Sequence, residues 1–331
     1  MKALLLVGQK KLELCDISLS PLNDFEVRIK IKKTCVCGSD LKNFNNPVVV
    51  PQIIGHEFSG EVVEILPQSK KFTNIGDRIT AFPMFGCMQC ASCKKGIFRD
   101  CDFKQSLGFQ LPGTFAEYVT VDSRFIIKLN DNISYCDGAL LEHLACGYRL
   151  GKEMINADIP TNRSIVIIGD GPLALANAQF LKHFAYHNIT LIGKHEIRKS
   201  FAKQIAVNNV VDYKNLENNV PDIDVCIFSA KADETLGKVI KYMKPGAIFF
   251  PQTRINDKKL ENIIIAKNFR WGRAFAYLFE DFGNVMKLIQ KHEIKTTGLV
   301  TKTIMFNNLS TIEDVFLKKN CDIKVMFSMD D

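Results

Sequence analysis

Four cysteines in the pattern C-x2-C-x2-C-x7-C, namely Cys87, Cys90, Cys93 and Cys101, carry the strongest chemical signal in this 331-residue chain. Close spacing lets three thiolates converge from one loop while the fourth closes a tetrahedron, which suits a structural Zn²⁺ with no open position. The bacterial iron–sulfur run places its last cysteine after a gap of three and follows it with proline. Here the last gap is seven and Asp102 follows, so zinc is the expected metal. Disulfides are the weaker reading, because eleven cysteines cannot all pair within one chain and MKALLLVGQK lacks an apolar run of signal-peptide length. A reducing cytoplasm is expected, where clustered cysteines are metal ligands before they are disulfides. Segment 87–101 is expected to be ordered by its metal, having little else from which to build a core.

A second signal is Gly169-Asp170-Gly171-Pro172-Leu173-Ala174, which reads G-x-G-x-x-A. Gly169 permits a tight turn and Gly171 lets backbone approach a pyrophosphate. Pro172 and Leu173 open a helix whose N-terminus attracts phosphate. An NAD site wants an acid about 20 residues further on to hold the ribose 2′-hydroxyl. The chain has Leu191-Ile192-Gly193-Lys194-His195 there, with no carboxylate. Gly193 leaves space, and Lys194 and Arg198 supply positive charge, so NADP(H) is expected over NAD(H).

These residues need elements to position them. Through Ala145 the pattern is short strands and turns, such as Glu26-Val27-Arg28-Ile29-Lys30-Ile31-Lys32, whose alternation puts Val27, Ile29 and Ile31 on a core and the charges in water. Glu61 to Ile65 and Phe115 to Val121 are further strands. From Arg163 the pattern alternates. Strands are expected at Ser164–Ile168, Ile189–Ile192, Asp224–Ser229 and Ala247–Phe250, and helices at Leu173–Phe184, Ile197–Ala206 and Asp233–Met243. Such alternation implies a parallel sheet covered by helices. Lys302 to Phe306 and Ile323 to Phe327 read as strands that return to the first region.

Composition narrows the class. Hydrophobic residues are 47% and charged residues 24%, ordinary for a globular protein. Lys plus Arg is 43 and Asp plus Glu 36, a net charge of +7, but the basic residues fall in scattered pairs such as Lys94-Lys95 and Lys258-Lys259. No basic block argues for nucleic acid, and no apolar run approaches the roughly 20 residues that span a bilayer.

Cys37, His56, Glu57 and Glu142 are scattered candidates that spacing alone does not assemble. Singly, each reads as a buried thiol, a satisfied histidine or a surface carboxylate. Their surroundings are specific, however. Cys37-Gly38-Ser39-Asp40, Gly55-His56-Glu57-Phe58-Ser59-Gly60, Gly76-Asp77-Arg78 and Phe115-Ala116-Glu117-Tyr118-Val119, with the four cysteines and the glycine turn, resemble the zinc-containing medium-chain alcohol/polyol dehydrogenases over nearly the whole chain. That resemblance implies a GroES-like, partly open β-barrel catalytic domain with an inserted Rossmann domain of doubly wound parallel sheet, and an active site between them. The expected domains are 1–147 with 298–331, carrying the zinc lobe 87–101, and 148–297, which binds NADP(H).

The resemblance also implies roles. Cys37 and His56 hold a catalytic zinc, with Glu57 and Glu142 as direct or water-mediated ligands, so that two zinc ions are expected per chain. A glutamate at the Glu142 position resembles the polyol and sugar (sorbitol dehydrogenase-type) branch, and Cys146 is an alternative ligand nearby. Asp40 accepts a hydrogen bond from His56 and fixes its tautomer. Zinc acts as Lewis acid on the substrate oxygen, and Ser39 passes its proton onward. Many members carry a relay histidine five residues after the cysteine, where this chain has Lys42; the proton then passes through Lys42, through water or through cofactor hydroxyls, or Lys42 instead attracts an anionic substrate. The segment between Cys37 and His56 is short for the family. The expected activity is hydride transfer between NADP(H) and a secondary alcohol or ketone of a polyol, sugar or sugar phosphate, in a homodimer or homotetramer. An amino-alcohol or small-alcohol dehydrogenase is the alternative within the family, and a non-catalytic NADP(H) sensor the alternative outside it.

Overall fold

Alternation does make Glu26–Cys35 a strand, and it lies at the centre of a seven-stranded sheet. The computed structural model describes residues 1–205, 207–273, 276–318 and 321–329. They divide into two units, Met1–Glu142 with Leu278–Lys291 and Val300–Asp331, and His143–Tyr277 with His292–Leu299. Residues 278–291 lie within the span expected for the second domain but pack in the first unit, where the Phe282 ring meets Phe82 edge-on.

In the first unit, Glu26–Cys35 pairs antiparallel with Glu57–Ile65, Tyr118–Asp122 and Lys324–Ser328. Lys324–Ser328 in turn pairs parallel with Val300–Met305, so the C-terminal strands return to the N-terminal region. Val27, Ile29 and Ile31 are fully buried with Phe58, Val62 and Ile79. Not all the charges on this strand face water. Lys30 is exposed, but Arg28 is buried. A bulge in the ladder between Arg28 and Ile29 shifts the register. The Arg28 guanidinium donates to Glu64 Oε2 at 2.7 Å, Thr120 Oγ1 at 3.1 Å and the Ser20 carbonyl at 2.6 Å. A buried cation persists because its donors are used.

The second unit is a six-stranded parallel sheet in the order Asn209–Asp212, Ile189–Gly193, Ile165–Ile168, Ile223–Phe228, Met243–Pro251 and Arg270–Trp271. Counted in chain order this is 3-2-1-4-5-6, the doubly wound dinucleotide-binding order. Ile165–Ile168 is buried on both faces, as a β-branched run between helix layers must be. The helix Pro172–His183 follows it directly, and Glu196–Gln204 follows the second strand. The expected helix Asp233–Met243 ends at Val239 and tightens to a 3₁₀ turn through Tyr242. Of the expected helix Ile197–Ala206, Ala206 lies outside the described residues.

The buried Arg28 yields a stability prediction. Arg28→Ala strands the Thr120 and Ser20 acceptors and should lower the unfolding free energy by about 2–4 kcal/mol. Lys30→Ala, exposed on the same strand, should change it by less than about 0.5 kcal/mol. Urea unfolding of the two variants is the measurement, and equal costs would contradict the burial argument.

Candidate active site and cofactor turn

Strand register brings the scattered candidates together. Cys35, the last residue of Glu26–Cys35, lies opposite Glu57 on one side and Met326 on the other. Cys37 therefore sits just past a strand end, at the N-cap of helix Gly38–Asn45, while His56 immediately precedes the paired strand Glu57–Ile65. Gly55 aims the histidine. Its φ is +95°, and a Cβ there would come within 2.5 Å of the Phe115 ring, so a side chain is excluded on both counts. One sulfur, nitrogen or oxygen atom each from Cys37, His56 and Glu57 lies within 4.8 Å of the others.

Glu142 arrives on helix Tyr135–Asn156, whose first residue is tied to Glu57–Ile65 by a 2.5 Å hydrogen bond from Ser59 Oγ to the Tyr135 carbonyl. Its Oε1 lies 4.0 Å from His56 Nε2. Asp40 is buried. Oδ2 accepts the Cys37 N–H at 2.8 Å, and Oδ1 lies 3.4 Å from His56 Nδ1. Nδ1 lies near Asp40 without a hydrogen bond among the described residues, and Nε2 faces Glu142. Ser39 Oγ is buried without a hydrogen-bond partner among the described residues, and Lys42 is exposed.

The charges here are strongly coupled. Burial works against a charged imidazole at His56. The negative charge of the nearby Asp40, with Cys37, outweighs it and raises the pKa well above the usual histidine value. Burial pushes the Glu57 carboxyl up to about 7, with Glu142 adding to the shift while Lys324 and His56 oppose it. Lys324 is the residue that sequence reading missed. It is buried, and its Nζ lies 2.6 Å from Glu57 Oε1 and 2.5 Å from Oε2. Burial disfavours its charge, but Glu57 holds the ammonium group protonated. The partners stand 267 residues apart in sequence, and no local pattern announces the pair. Only the pairing of Lys324–Ser328 with Glu26–Cys35 does.

The four-cysteine cluster forms as expected. One sulfur from each of Cys87, Cys90, Cys93 and Cys101 falls within 4.8 Å of the others. Backbone N–H groups of Cys87, Cys90 and Cys93 point at the sulfurs of Cys101, Cys87 and Cys90, each at 3.4 Å. Backbone hydrogen bonds from Gln89 and Cys90 pull the Cys87 thiol down to about 6, whereas burial and its cysteine neighbours push Cys93 up to about 12. The lobe does have apolar support beyond its thiols, because the Phe98 ring packs 4.8 Å from Phe125 and 5.9 Å from Phe82.

In the second unit, Gly169 has φ +127° and Gly171 caps helix Pro172–His183, with Pro172 in the first turn. A cavity of about 550 Å³ opens over this turn, lined among others by Gly169, Asp170, Gly193, Lys194, Arg198 and Tyr213. Here the structure adds something the motif did not announce. No acid sits at the end of Ile189–Gly193, yet a carboxylate is present there, supplied by Asp170 from the glycine turn. Its Oδ2 accepts the N–H groups of Lys194 and His195, both at 2.6 Å. Burial would raise its pKa, but the backbone N–H groups of His195 and Lys194 and the His195 ring hold it below the usual carboxylate value.

Comparison with known proteins now identifies the family. Residues 23–131 match the alcohol dehydrogenase GroES-like domain. A sorbitol dehydrogenase of Halalkalibacterium halodurans is 33% identical over 297 residues, covering 83% of this chain and 84% of that one. A D-arabitol-phosphate dehydrogenase of Enterococcus avium is 33% identical over 211 residues, 62% of this chain and 59% of that one. Among solved structures, galactitol-1-phosphate dehydrogenase from Escherichia coli superimposes with a TM-score of 0.84 at 19% identity, covering 99% of this chain and 100% of that one. The chain therefore belongs to the zinc-containing medium-chain dehydrogenase/reductase family, with that family's GroES-like and Rossmann domains, and is an oxidoreductase of the alcohol/polyol dehydrogenase type.

Proposed function

We infer that this enzyme transfers a hydride between NADP(H) and a secondary alcohol or ketone of a polyol, sugar or sugar phosphate. The observation that carries the reading is the convergence of Cys37, His56 and Glu57 beside the unpartnered, buried Ser39 hydroxyl. A thiolate, an imidazole and a carboxylate are a donor set that zinc accepts in catalytic sites. Four thiols within 4.8 Å of one another are the donor set of a structural site. Two zinc ions per chain follow. A reducing compartment, the cytoplasm, suits a chain that gathers four cysteines into one cluster of metal-ligand geometry, and among the described residues no helix is long and apolar enough to cross a membrane. Assembly as a homodimer or homotetramer is part of the same reading.

Cys37 and His56 would hold the catalytic metal, with Glu57 and Glu142 as direct or water-mediated ligands. When bound, zinc supplies Lewis-acid charge that lowers the pKa of an alcohol oxygen, and the nicotinamide supplies the hydride chemistry. The remaining steps belong to this chain's own side chains. Asp40 lies on the Nδ1 side of the His56 ring, which leaves Nε2 for the metal. Ser39 Oγ, with no hydrogen-bond partner among the described residues, accepts the hydroxyl proton of an alcohol as it hands its own onward, and runs the exchange in reverse when a carbonyl oxygen is protonated. The proton handed on by Ser39 leaves through water, through cofactor hydroxyls, or through Lys42, exposed on the same helix, once its ammonium group has released a proton to water; otherwise Lys42 draws in an anionic substrate. Lys324 already occupies both oxygens of Glu57, so a metal at Cys37 and His56 would share a carboxylate that carries one cation.

The substrate class rests on Glu142 and on the curated relatives, a sorbitol and a D-arabitol-phosphate dehydrogenase. The NADP(H) preference rests on Lys194 and Arg198 in the cavity over the glycine turn, at a strand end whose own residue is glycine. Turnover of NADPH and NADP⁺ across polyols, ketoses and their phosphates tests the reading as a whole.

Three outcomes are expected. Cys37→Ala should cut turnover by about a thousandfold or more, the scale of losing several kcal/mol of Lewis-acid stabilisation, while zinc by elemental analysis falls from two ions per chain to one; full turnover in this variant would refute the catalytic metal. Lys194→Ala should lower kcat/KM for NADPH relative to NADH by about tenfold, the scale of one charge-assisted hydrogen bond. Lys324→Met should destabilise the protein by about 3–5 kcal/mol because it leaves Glu57 buried without a counter-charge. Adding Glu57→Gln should recover part of that loss in urea unfolding, and strict additivity would show that the pair is not coupled.

A further inference from the structure

The acid that the second strand lacks is replaced in space by Asp170, and its surroundings say what it does. Asp170 is the middle residue of the Gly169-Asp170-Gly171 turn and is only 5% exposed. Both backbone N–H groups that it accepts, from Lys194 and His195, bond to the same oxygen, Oδ2. The His195 ring straddles the carboxylate, with Nδ1 3.1 Å from Oδ2 and 3.2 Å from Oδ1, and the Arg198 guanidinium approaches Oδ1, with Nη1 at 3.4 Å. Gly193 makes this possible. A Cβ on Gly193 would stand 2.9 Å from Asp170 Cβ and 3.2 Å from Oδ2. The glycine therefore makes room for the Asp170 side chain as well as for any ligand.

The Lys194 side chain is not part of this latch. Its Nζ lies 5.7 Å from the centroid of the Tyr213 ring, in the same cavity. The backbone of the loop is fastened from below by Asp170, while the Lys194 ammonium group stays on the cavity side. A carboxylate with two short N–H bonds on one oxygen is committed to the loop. It is poorly placed to accept a ribose hydroxyl as well.

Resting on the NADP(H) reading above, we propose that Asp170 is a positioning residue for cofactor selection: it latches the Lys194-His195 turn, between strand Ile189–Gly193 and helix Glu196–Gln204, in the conformation that presents Lys194 and Arg198 to a ribose 2′-phosphate. The carboxylate does not touch the phosphate. Its negative charge opposes an anion nearby, and its geometric role outweighs that repulsion.

Accepting the two N–H groups needs an oxygen but no charge, so two substitutions separate the latch from the charge. Asp170→Ala removes both. Asp170→Asn keeps an oxygen that can accept both N–H groups and removes the charge. The test is direct binding by calorimetry, with the intact enzyme, of NADPH, NADH, adenosine 2′-monophosphate and adenosine. The expected result is that Asp170→Ala lowers the preference for each 2′-phosphorylated ligand over its partner by about tenfold, whereas Asp170→Asn matches or exceeds the wild-type preference. Where Asp170→Ala does not fold, Gly193→Ala, whose methyl group displaces the carboxylate, should show the same loss. An unchanged preference in the folded Asp170→Ala or Gly193→Ala protein overturns the latch while leaving the cofactor reading intact. Equal losses in Asp170→Ala and Asp170→Asn also overturn it, because the charge of Asp170, paired with Arg198, would then be the cause. A wild-type protein that binds NADH more tightly than NADPH overturns the cofactor reading, and this inference with it.

Discussion

The chemistry of the first unit depends on one cross-strand pair, Cys35 opposite Glu57. That pairing sets the distance between the strand end that delivers Cys37 and the turn that delivers His56. Strand pairing has a side-chain period of two, so a slip of one residue would turn Glu57 to the other face and separate the donor atoms. The register is secured on both sides. Thr34 Oγ1 donates to the Glu57 carbonyl at 2.9 Å and meets Thr114 Oγ1 at 2.8 Å, and the Val36 N–H bonds to the Val325 carbonyl at 2.9 Å. The same ladder separates two neighbouring thiols. Cys35 is fully buried, and desolvation raises its pKa well above the ordinary thiol value. Cys37, two residues on, is only half-buried and caps a helix. A thiol must ionise to bind metal, so the backbone decides which of the pair is available.

Both units place a carboxylate away from the obvious partner and use it to hold geometry. Asp40 spans the Cys37 N–H and the His56 ring, and Asp170 spans the Lys194 and His195 N–H groups. In each case a buried anion is stabilised by backbone donors rather than by a single long cationic side chain. Backbone donors cost no side-chain entropy to fix, so such anchors hold a loop within tenths of an ångström. Lys324 and Glu57 make the contrasting arrangement, a buried ion pair. Its desolvation is offset only because both carboxylate oxygens lie within 2.6 Å of Nζ.

What the sequence made legible follows from how local each signal is. The glycine turn, the parallel strands and the four cysteines are written in contiguous residues, where spacing and β-branched runs report directly on geometry. Cys37, His56 and Glu142 come from separate segments, and only motif resemblance, not periodicity, could join them. Lys324 and the anchoring role of Asp170 were not legible. The first depends on a strand returning from the far end of the chain. The second was masked because the middle position of a G-x-G turn reads as a spacer. Arg28 was misjudged for a related reason. Alternation says which face a side chain takes, not whether that face is covered, and Glu64, Thr120 and the Ser20 carbonyl surround the Arg28 guanidinium.

The cysteine lobe shows how far a metal's influence should reach. Its short strands Met84–Phe85 and Gln105–Ser106 pair at the base, and Phe98 inserts beside Phe82 and Phe125. Phe82 and Phe125 are themselves fully buried core residues. The base of the lobe is therefore held by the same apolar packing as the rest of its unit. Farther out, helix Ala91–Lys94 is a single turn capped by the Cys90 sulfur, too short to persist on backbone hydrogen bonds alone. Metal binding at four converging thiolates thus contributes where packing is thinnest. A metal there would organise the segment from Cys87 to Cys101, whereas Cys37 and His56 are placed by a strand ladder whose pairing and packing do not involve those thiols. On the proposed reading, chain folding and metal loading would be separable, because one donor set sits at the end of a ladder and the other on a loop.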